Sequence, residues 1–427
     1  MKRHLDRVIS LAKSGTAKDT YVLFGGNLFS AFLGFLFTVV IARGLSLSDF
    51  GIFSAASNLI GILLSVTDLG LSNGVINFVS THLSKAEGGK ADQYAKAALI
   101  VKVVISTVVS LGLIVFAGFI SRNWLATTDK TVAYLVSVVS FSSLAWHFLP
   151  NILQARKMFF KSVLIDIFQG MPKVIIPLAF LLLHVLTVKS TLFAFALSCL
   201  IAAVPGFIFT GSGFLKVKIE KGVYPGLLKY SSWLGVNKVA SSVANGLDIQ
   251  MLAGISGATI TGLYSIPARL TSFLNVLSGS FSAVLAPRLA GFGSKEAERT
   301  YLVKSSLVTG AVILFAVSWI IFAKPIILIL FGTKYLLSVP YFKALILSML
   351  PSIATIPSVS AINYSIRKTA YIGAFSIFRL PTTFLLNLFF IPKYGGFGPA
   401  LTFSIINTIF AVYTWLIVIK HYWFSKS

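Results

Sequence analysis

The chain has 427 residues, 56% hydrophobic and only 11% charged, with 36 Lys+Arg against 12 Asp+Glu and a formal net charge of +24. Soluble domains carry about 25% charged residues, so this composition cannot cover a water-soluble surface, and its apolar content excludes a disordered chain. The basic balance invites a nucleic-acid reading, but no stretch is long and polar enough to form a soluble basic domain, and the single cysteine, Cys199, excludes both a disulfide framework and a Cys-based metal site.

A bilayer-spanning helix needs about 20 mostly apolar residues. Residues 1–19 mix Lys2, Arg3, Asp6, Arg7 and Lys13 with Leu5, Val8, Ile9 and Leu11, too charged for a signal peptide and suited to a helix lying on the membrane surface. About twelve apolar runs follow, near 20–42, 50–80, 95–120, 131–153, 162–187, 191–212, 227–254, 258–286, 303–330, 340–364, 369–391 and 397–420. Runs 50–80 and 303–330 exceed the required length, which predicts tilt or interfacial ends. The organisation expected is an N-terminal segment 1–19, a six-helix bundle 20–215, a cytoplasmic linker 216–226 and a second six-helix bundle 227–427.

Basic residues set the orientation. About 23 of them lie at the termini and on every second connector, and about 7 on the alternate connectors. This bias predicts a multi-pass protein of the cytoplasmic membrane with both termini cytoplasmic. Most of the charge is therefore a topology signal that needs no polyanionic partner.

Six cations remain inside the runs: Lys102, Lys173, Lys238, Arg269, Lys324 and Arg379. At about 2.5–3.5 kcal/mol per central charge, placing all six against lipid would cost on the order of 15–20 kcal/mol. Lys324 and Lys102 lie close enough to span ends to snorkel. Asp68, Asp166 and Asp248 also fall inside runs, and pairing with them would neutralise some of the cations. Arg269 follows Pro267, where a kink frees carbonyls and opens space. A surplus of intramembrane positive charge suits a water-filled cavity for an anion such as phosphate, and the planar guanidinium fork binds phosphate oxygens through two donors.

An internal repeat relates the halves. Gly51-Ile52-Phe53-Ser54 through Leu59 and Gly262-Leu263-Tyr264-Ser265 through Leu270 both read G-[IL]-[FY]-S-x-x-x-x-L. The copies open runs six apart, which predicts a parallel repeat with substrate bound between halves. Arg269 stands where the first copy has Asn58.

Val39-Val40-Ile41-Ala42-Arg43-Gly44-Leu45, then Asp49-Phe50-Gly51-Ile52-Phe53, then Asp68-Leu69-Gly70-Leu71 resemble the opening of Wzx-type polysaccharide flippases. These belong to the multidrug/oligosaccharidyl-lipid/polysaccharide exporter superfamily. Tyr230-Ser231-Ser232-Trp233 with Asn237, then Asp248 with Leu252-Ala253-Gly254, Gly262-Leu263-Tyr264 with Ala268-Arg269-Leu270, Ala286-Pro287-Arg288, Phe331-Gly332 and Ile391-Pro392-Lys393-Tyr394-Gly395-Gly396 extend the resemblance over nearly the whole chain.

The resemblance implies an all-α integral membrane fold, two six-helix bundles around a central V-shaped cavity, and no enzymatic activity. It implies a polyprenyl-diphosphate-linked oligosaccharide as partner, moved across the bilayer by alternating access, alongside polysaccharide polymerase machinery. It places Asn27, Asn58, Lys238 and Arg269 in the cavity and makes Arg43 a corner residue. Lys173, Arg379 and Lys102 join the cavity candidates on burial alone. No cofactor or metal is implied beyond a coupling ion, Na or H, for which Asp68, Asp166 and Asp248 are the candidate carboxylates, Asp248 near the outer gate.

The alternatives are a cation-coupled drug or metabolite antiporter of the same superfamily and, further off, a membrane glycan polymerase. The first needs acids to dominate the cavity, where here cations do. Against the second, the sequence holds no GxxxxGK[ST] or HExxH, and its five histidines are scattered.

Overall fold

A computed structural model describes residues 15–290 and 294–424. Residues 1–14 of the expected N-terminal surface segment lie outside these. The described residues form helices α1 Gly15–Gly44, α2 Leu47–Asp68, α3 Leu71–Ser84, α4 Gly88–Val115, α5 Ala117–Trp124, α6 Lys130–Ala155, α7 Phe159–Leu182 and α8 Val188–Thr210. Then come α9 Val223–Ala290, α10 Lys295–Ile321, α11 Ala323–Phe331, α12 Val339–Ala354, α13 Ile356–Ser360, α14 Ala370–Tyr394 and α15 Phe397–Ile419. Among the described residues there is no strand.

Among the described residues, eleven helical stretches are long and apolar enough to cross a bilayer. One of them, Val223–Leu274, has 52 residues and breaks at Gly257, where φ is 79° and ψ 178°. A residue without Cβ takes up that conformation at little cost. The break divides the stretch into two spans, which brings the count to the expected twelve.

Several runs are more broken than their hydrophobicity suggests. The excess length of 50–80 is not tilt: α2 ends at Asp68, the chain passes through Leu69 (φ 40°) and Gly70 (φ 76°), and α3 is a separate helix. The excess of 303–330 has a similar origin, α10 ending at Ile321 and α11 starting at Ala323. Pro325 has no N–H to offer the carbonyl of Ile321, so the helix cannot run straight through.

The chain forms two compact units that alternate along the sequence: residues 1–46 with 56–243, and residues 47–55 with 244–427. Helices α2 and α9 are thus each divided between the units. The first unit is built on Leu71, Val75 and Val79 of α3, Phe148, Leu149, Ile152 and Leu153 of α6, and the small stripe Ala91, Ala95 and Ala98 of α4. Small residues at helical spacing let membrane helices approach closely where lipid offers no hydrophobic drive to association.

The second unit packs Leu252 and Tyr264 against Leu345, Ile391 and Ala400. It also contains the second copy of the repeat and residues 51–55 of the first. A Cβ on Gly51 would lie 1.8 Å from the carbonyl oxygen of Ala258 and 2.9 Å from the nitrogen of Gly262, and one on Gly262 would lie 2.3 Å from the oxygen of Leu47. The repeated glycines are each other's contact, a backbone-to-backbone crossing that no larger residue permits. Phe53 and Tyr264, equivalent in the repeat, are both fully buried.

Candidate functional site

Six of the nine intramembrane charges gather in two places, one in each unit. In the first unit, Asp68 sits at the end of α2, where the left-handed pair Leu69–Gly70 turns the chain into α3. The first turn of α3 folds back on it: the Ser72 amide donates to Asp68 Oδ1 at 3.3 Å, and the Ser72 hydroxyl donates to the same oxygen. Lys102 of α4 places its Nζ 2.5 Å from Asp68 Oδ1 and 3.0 Å from Ser72 Oγ. Lys238 of α9 donates to Asp68 Oδ2 at 2.8 Å. Asn151 of α6 donates to Ser72 Oγ at 3.2 Å, and the Lys102 ammonium lies 5.3 Å from the Phe148 ring centre.

Glycines bring α9 close enough for this. A Cβ on Gly70 would meet the Ser231 oxygen at 2.6 Å, and one on Gly235 would meet the Leu69 oxygen at 2.4 Å. Ser231, Gly235 and Lys238 occupy successive turns of one face, so the close crossing delivers Lys238 to Asp68. The side chains of Asp68 and Lys102 are 1% and 4% exposed, that of Lys238 39%. One carboxylate thus holds two ammonium groups, and the cluster carries one positive charge in excess. Lys102 does not snorkel to the membrane surface as its position near a span end allowed.

In the second unit, Arg269 and Arg379 line one cavity of about 620 Å³ together with Asp248, Asn245, Asn407 and the rings of Phe375, Phe403 and Phe410. Around Pro267 and Arg269 the chain is helical, the break in α9 lying at Gly257 and not at the expected kink, and the Ser272 hydroxyl donates to the Arg269 carbonyl at 2.6 Å. Arg379 lies two residues before Pro381 in α14 and makes no ion pair among the described residues. Asp248 is buried and accepts from the Tyr264 hydroxyl at 2.7 Å. Its other oxygen has no hydrogen-bond partner among the described residues.

The remaining candidates lie apart from these sites. The Lys173 ammonium stands 3.8 Å from the Phe195 ring centre and 4.9 Å from that of Phe37, a cation–π arrangement in the first unit. Asp166 accepts from the Trp146 indole at 3.1 Å. Asn27 is exposed on α1, Asn58 half-buried on α2, and Arg43 exposed in the last turn of α1. Lys324 is exposed at the start of α11. Among the described residues, no group of three His, Cys, Asp or Glu is placed to hold a metal ion.

Sequence reasoning missed Ser72, Asn151 and Tyr264. Serine and asparagine are common in membrane helices, and Tyr264 was visible only as a repeat position.

Outside the spans, Asp129 caps α6 by accepting from the Thr131 amide at 2.9 Å and pairs with Lys189 at 2.7 Å. The bonds from Lys189 and Thr131 lower its carboxyl from 3.8 to about 2. On the connector after α3, the hydrogen bond from His82 at 2.6 Å holds the Glu87 carboxyl below its ordinary value.

Among the described residues, the long apolar helical stretches and the charge buried within them are those of a polytopic membrane protein. The family of polysaccharide biosynthesis proteins matches residues 16–292, and the chain belongs to that family. It is 22% identical over 411 residues to the "Probable low-salt glycan biosynthesis flippase Agl15" of Haloferax volcanii, covering 92% of this chain and 82% of the relative. To the "Uncharacterized membrane protein MJ1068" of Methanocaldococcus jannaschii it is 23% identical over 410 residues, covering 87% and 77%.

Among solved structures, an inward-facing multidrug resistance MATE family transporter of the MOP superfamily superposes with a TM-score of 0.73 at 13% identity, covering 93% of this chain and 96% of that one. The lipid II flippase MurJ, in an inward closed conformation, gives 0.73 at 16% identity, covering 93% and 87%. The fold is that of the MOP exporters, as the sequence resemblance implied.

Proposed function

We propose that this protein is a flippase that moves a polyprenyl-diphosphate-linked oligosaccharide, a repeat unit of a surface polysaccharide, across the cytoplasmic membrane by alternating access, with both termini cytoplasmic. The observation that carries this reading is the cavity of the second unit, where Arg269 and Arg379 stand with amide side chains and aromatic rings. Two guanidinium groups in a low-dielectric wall bind phosphate oxygens strongly. Asn245 and Asn407 supply hydrogen bonds to sugar hydroxyls, and the phenylalanines supply apolar faces for sugar rings. Two relatives named as flippases, one of glycan biosynthesis and one of lipid II, support the same class of cargo.

Asp248 favours a second reading. A buried carboxylate with an unpartnered oxygen is the group a coupling cation would bind, and the MATE likeness fits an ion-coupled antiporter. One carboxylate against two arginines leaves the cavity positive, so we assign Asp248 to ion coupling within the flippase cycle.

The test is disruption of the gene in its own host. Lipid-linked oligosaccharide accumulates on the cytoplasmic side while surface polymer is lost, and the R269A/R379A double variant, present at wild-type level in the membrane, fails to restore it. Normal surface polymer from that variant would overturn the reading.

A further inference from the structure

The two lysines on Asp68 differ in what happens if either leaves. Lys102 is 4% exposed, enclosed beside Phe148, and has Asp68 and Ser72 as its polar contacts at 2.5 and 3.0 Å. Pulled away, it becomes an unpaired ammonium in apolar surroundings, a state of very high cost. Lys238 is 39% exposed and reaches the site on a flexible four-carbon stem. If it leaves, Asp68 keeps Lys102, the Ser72 amide and the Ser72 hydroxyl. What remains is a neutral, hydrogen-bonded buried pair. Departure of Lys238 therefore strands nothing in the protein and removes the excess positive charge from the cluster.

We propose that Asp68 is an internal stand-in for a phosphate group at Lys238. An anionic diphosphate reaching Lys238 exchanges with Asp68 as its partner, and the exchange unlocks the start of α9 from the α2–α3 turn. The Asp68–Lys238 bridge lies one turn from the Gly70–Gly235 crossing, so it holds the same stretch of α9 that the crossing packs. Binding of the anion and release of that helix are then one event. The ligand class is a diphosphate ester. This rests on the flippase reading for its cargo, but its geometry lies wholly in the first unit, apart from the Arg269–Arg379 cavity.

The test uses the full chain in nanodiscs, with inorganic pyrophosphate as probe. Lysines carry ¹³C-methyl groups from reductive methylation, and Lys238→Met assigns the Lys238 resonance. Pyrophosphate is expected to shift that resonance saturably in the wild-type protein. The D68N/K102M variant removes the competing carboxylate together with its buried partner, and is expected to bind pyrophosphate at least tenfold more tightly. Adding K238M abolishes the gain.

Equal affinity in wild type and D68N/K102M overturns the exchange. If that variant does not fold, the wild-type spectrum decides, and a Lys238 resonance that ignores millimolar pyrophosphate overturns the proposal. The two readings fail separately. An R269A/R379A protein that loses export while Lys238 stays silent leaves the flippase standing without the exchange. Export undisturbed in R269A/R379A with a responsive Lys238 leaves the exchange standing without the cargo assignment.

Discussion

The two units treat buried charge in opposite ways. In the first, one carboxylate holds two ammonium groups at 2.5 and 2.8 Å, and both of its oxygens are used. In the second, the carboxylate turns to a tyrosine, has one oxygen without a hydrogen-bond partner among the described residues, and shares a cavity with Arg269 and Arg379. The first arrangement pairs its carboxylate with both cations, and the second lines one cavity with an acid and two arginines. Charge count alone does not separate them. The distinction lies in whether the acid lies on the cation, and lysine suits the first because its point charge takes a partner from any side, while arginine's fork suits phosphate.

Removing each acid sharpens the contrast. Asp68→Asn strips the buried Lys102 ammonium and the partly exposed Lys238 of their counter-charge, and thermal unfolding in detergent is expected to show a loss of about 3–5 kcal/mol, most of it from Lys102. Asp248→Asn keeps an acceptor for Tyr264 and strands no cation, so it is expected to cost under about 1 kcal/mol. Equal losses would erase the distinction between the sites.

The glycine crossings come next. Gly51→Ala places a methyl group on the Ala258 carbonyl and is expected to destabilise by about 1–3 kcal/mol through backbone displacement. Gly61→Ala in the same helix meets open space and is expected to be neutral or slightly stabilising. The same unfolding assay compares them.

Tyr264→Phe leaves the buried Asp248 without its hydroxyl donor, an expected cost of about 1–3 kcal/mol. The effect should vanish in the Asp248→Leu background, which a double-mutant cycle measures.

The smallest effect belongs to Asp129, at the solvated end of α6. Its carboxyl is lowered from 3.8 to about 2, so the folded state favours the ionised form. The contribution is complete above the ordinary value and is lost as pH falls through about 2. Melting curves of Asp129→Asn and wild type are therefore expected to converge between about pH 4 and pH 2, with the wild type the more stable at neutral pH.

The membrane class and the twelve spans were legible because apolar runs are a property of composition along the chain, and the MOP fold was legible through the resemblance of motifs such as Asp68-Leu69-Gly70-Leu71. The breaks were not. Leu69 takes a positive φ although it is not glycine, and only the docking of Gly70 against Gly235 shows why the chain turns there. At the sites, the sequence reduced the buried acids to Asp68, Asp166 and Asp248 but not their partners. Lys238 lies 170 residues from Asp68, and no spacing rule connects residues brought together by packing. Arg269 was visible through its proline and its place in the repeat, whereas Arg379 rested on burial alone.

The most direct test of the central claim is transport itself. The purified protein is reconstituted into vesicles with a fluorescent polyprenyl-diphosphate-linked oligosaccharide, and a membrane-impermeant glycosidase reports how much reaches the outer face. Wild-type protein is expected to expose the inner pool, and R269A/R379A to leave it protected. Equal exposure by the two proteins, or none by the wild type with an ion gradient imposed, would contradict the account.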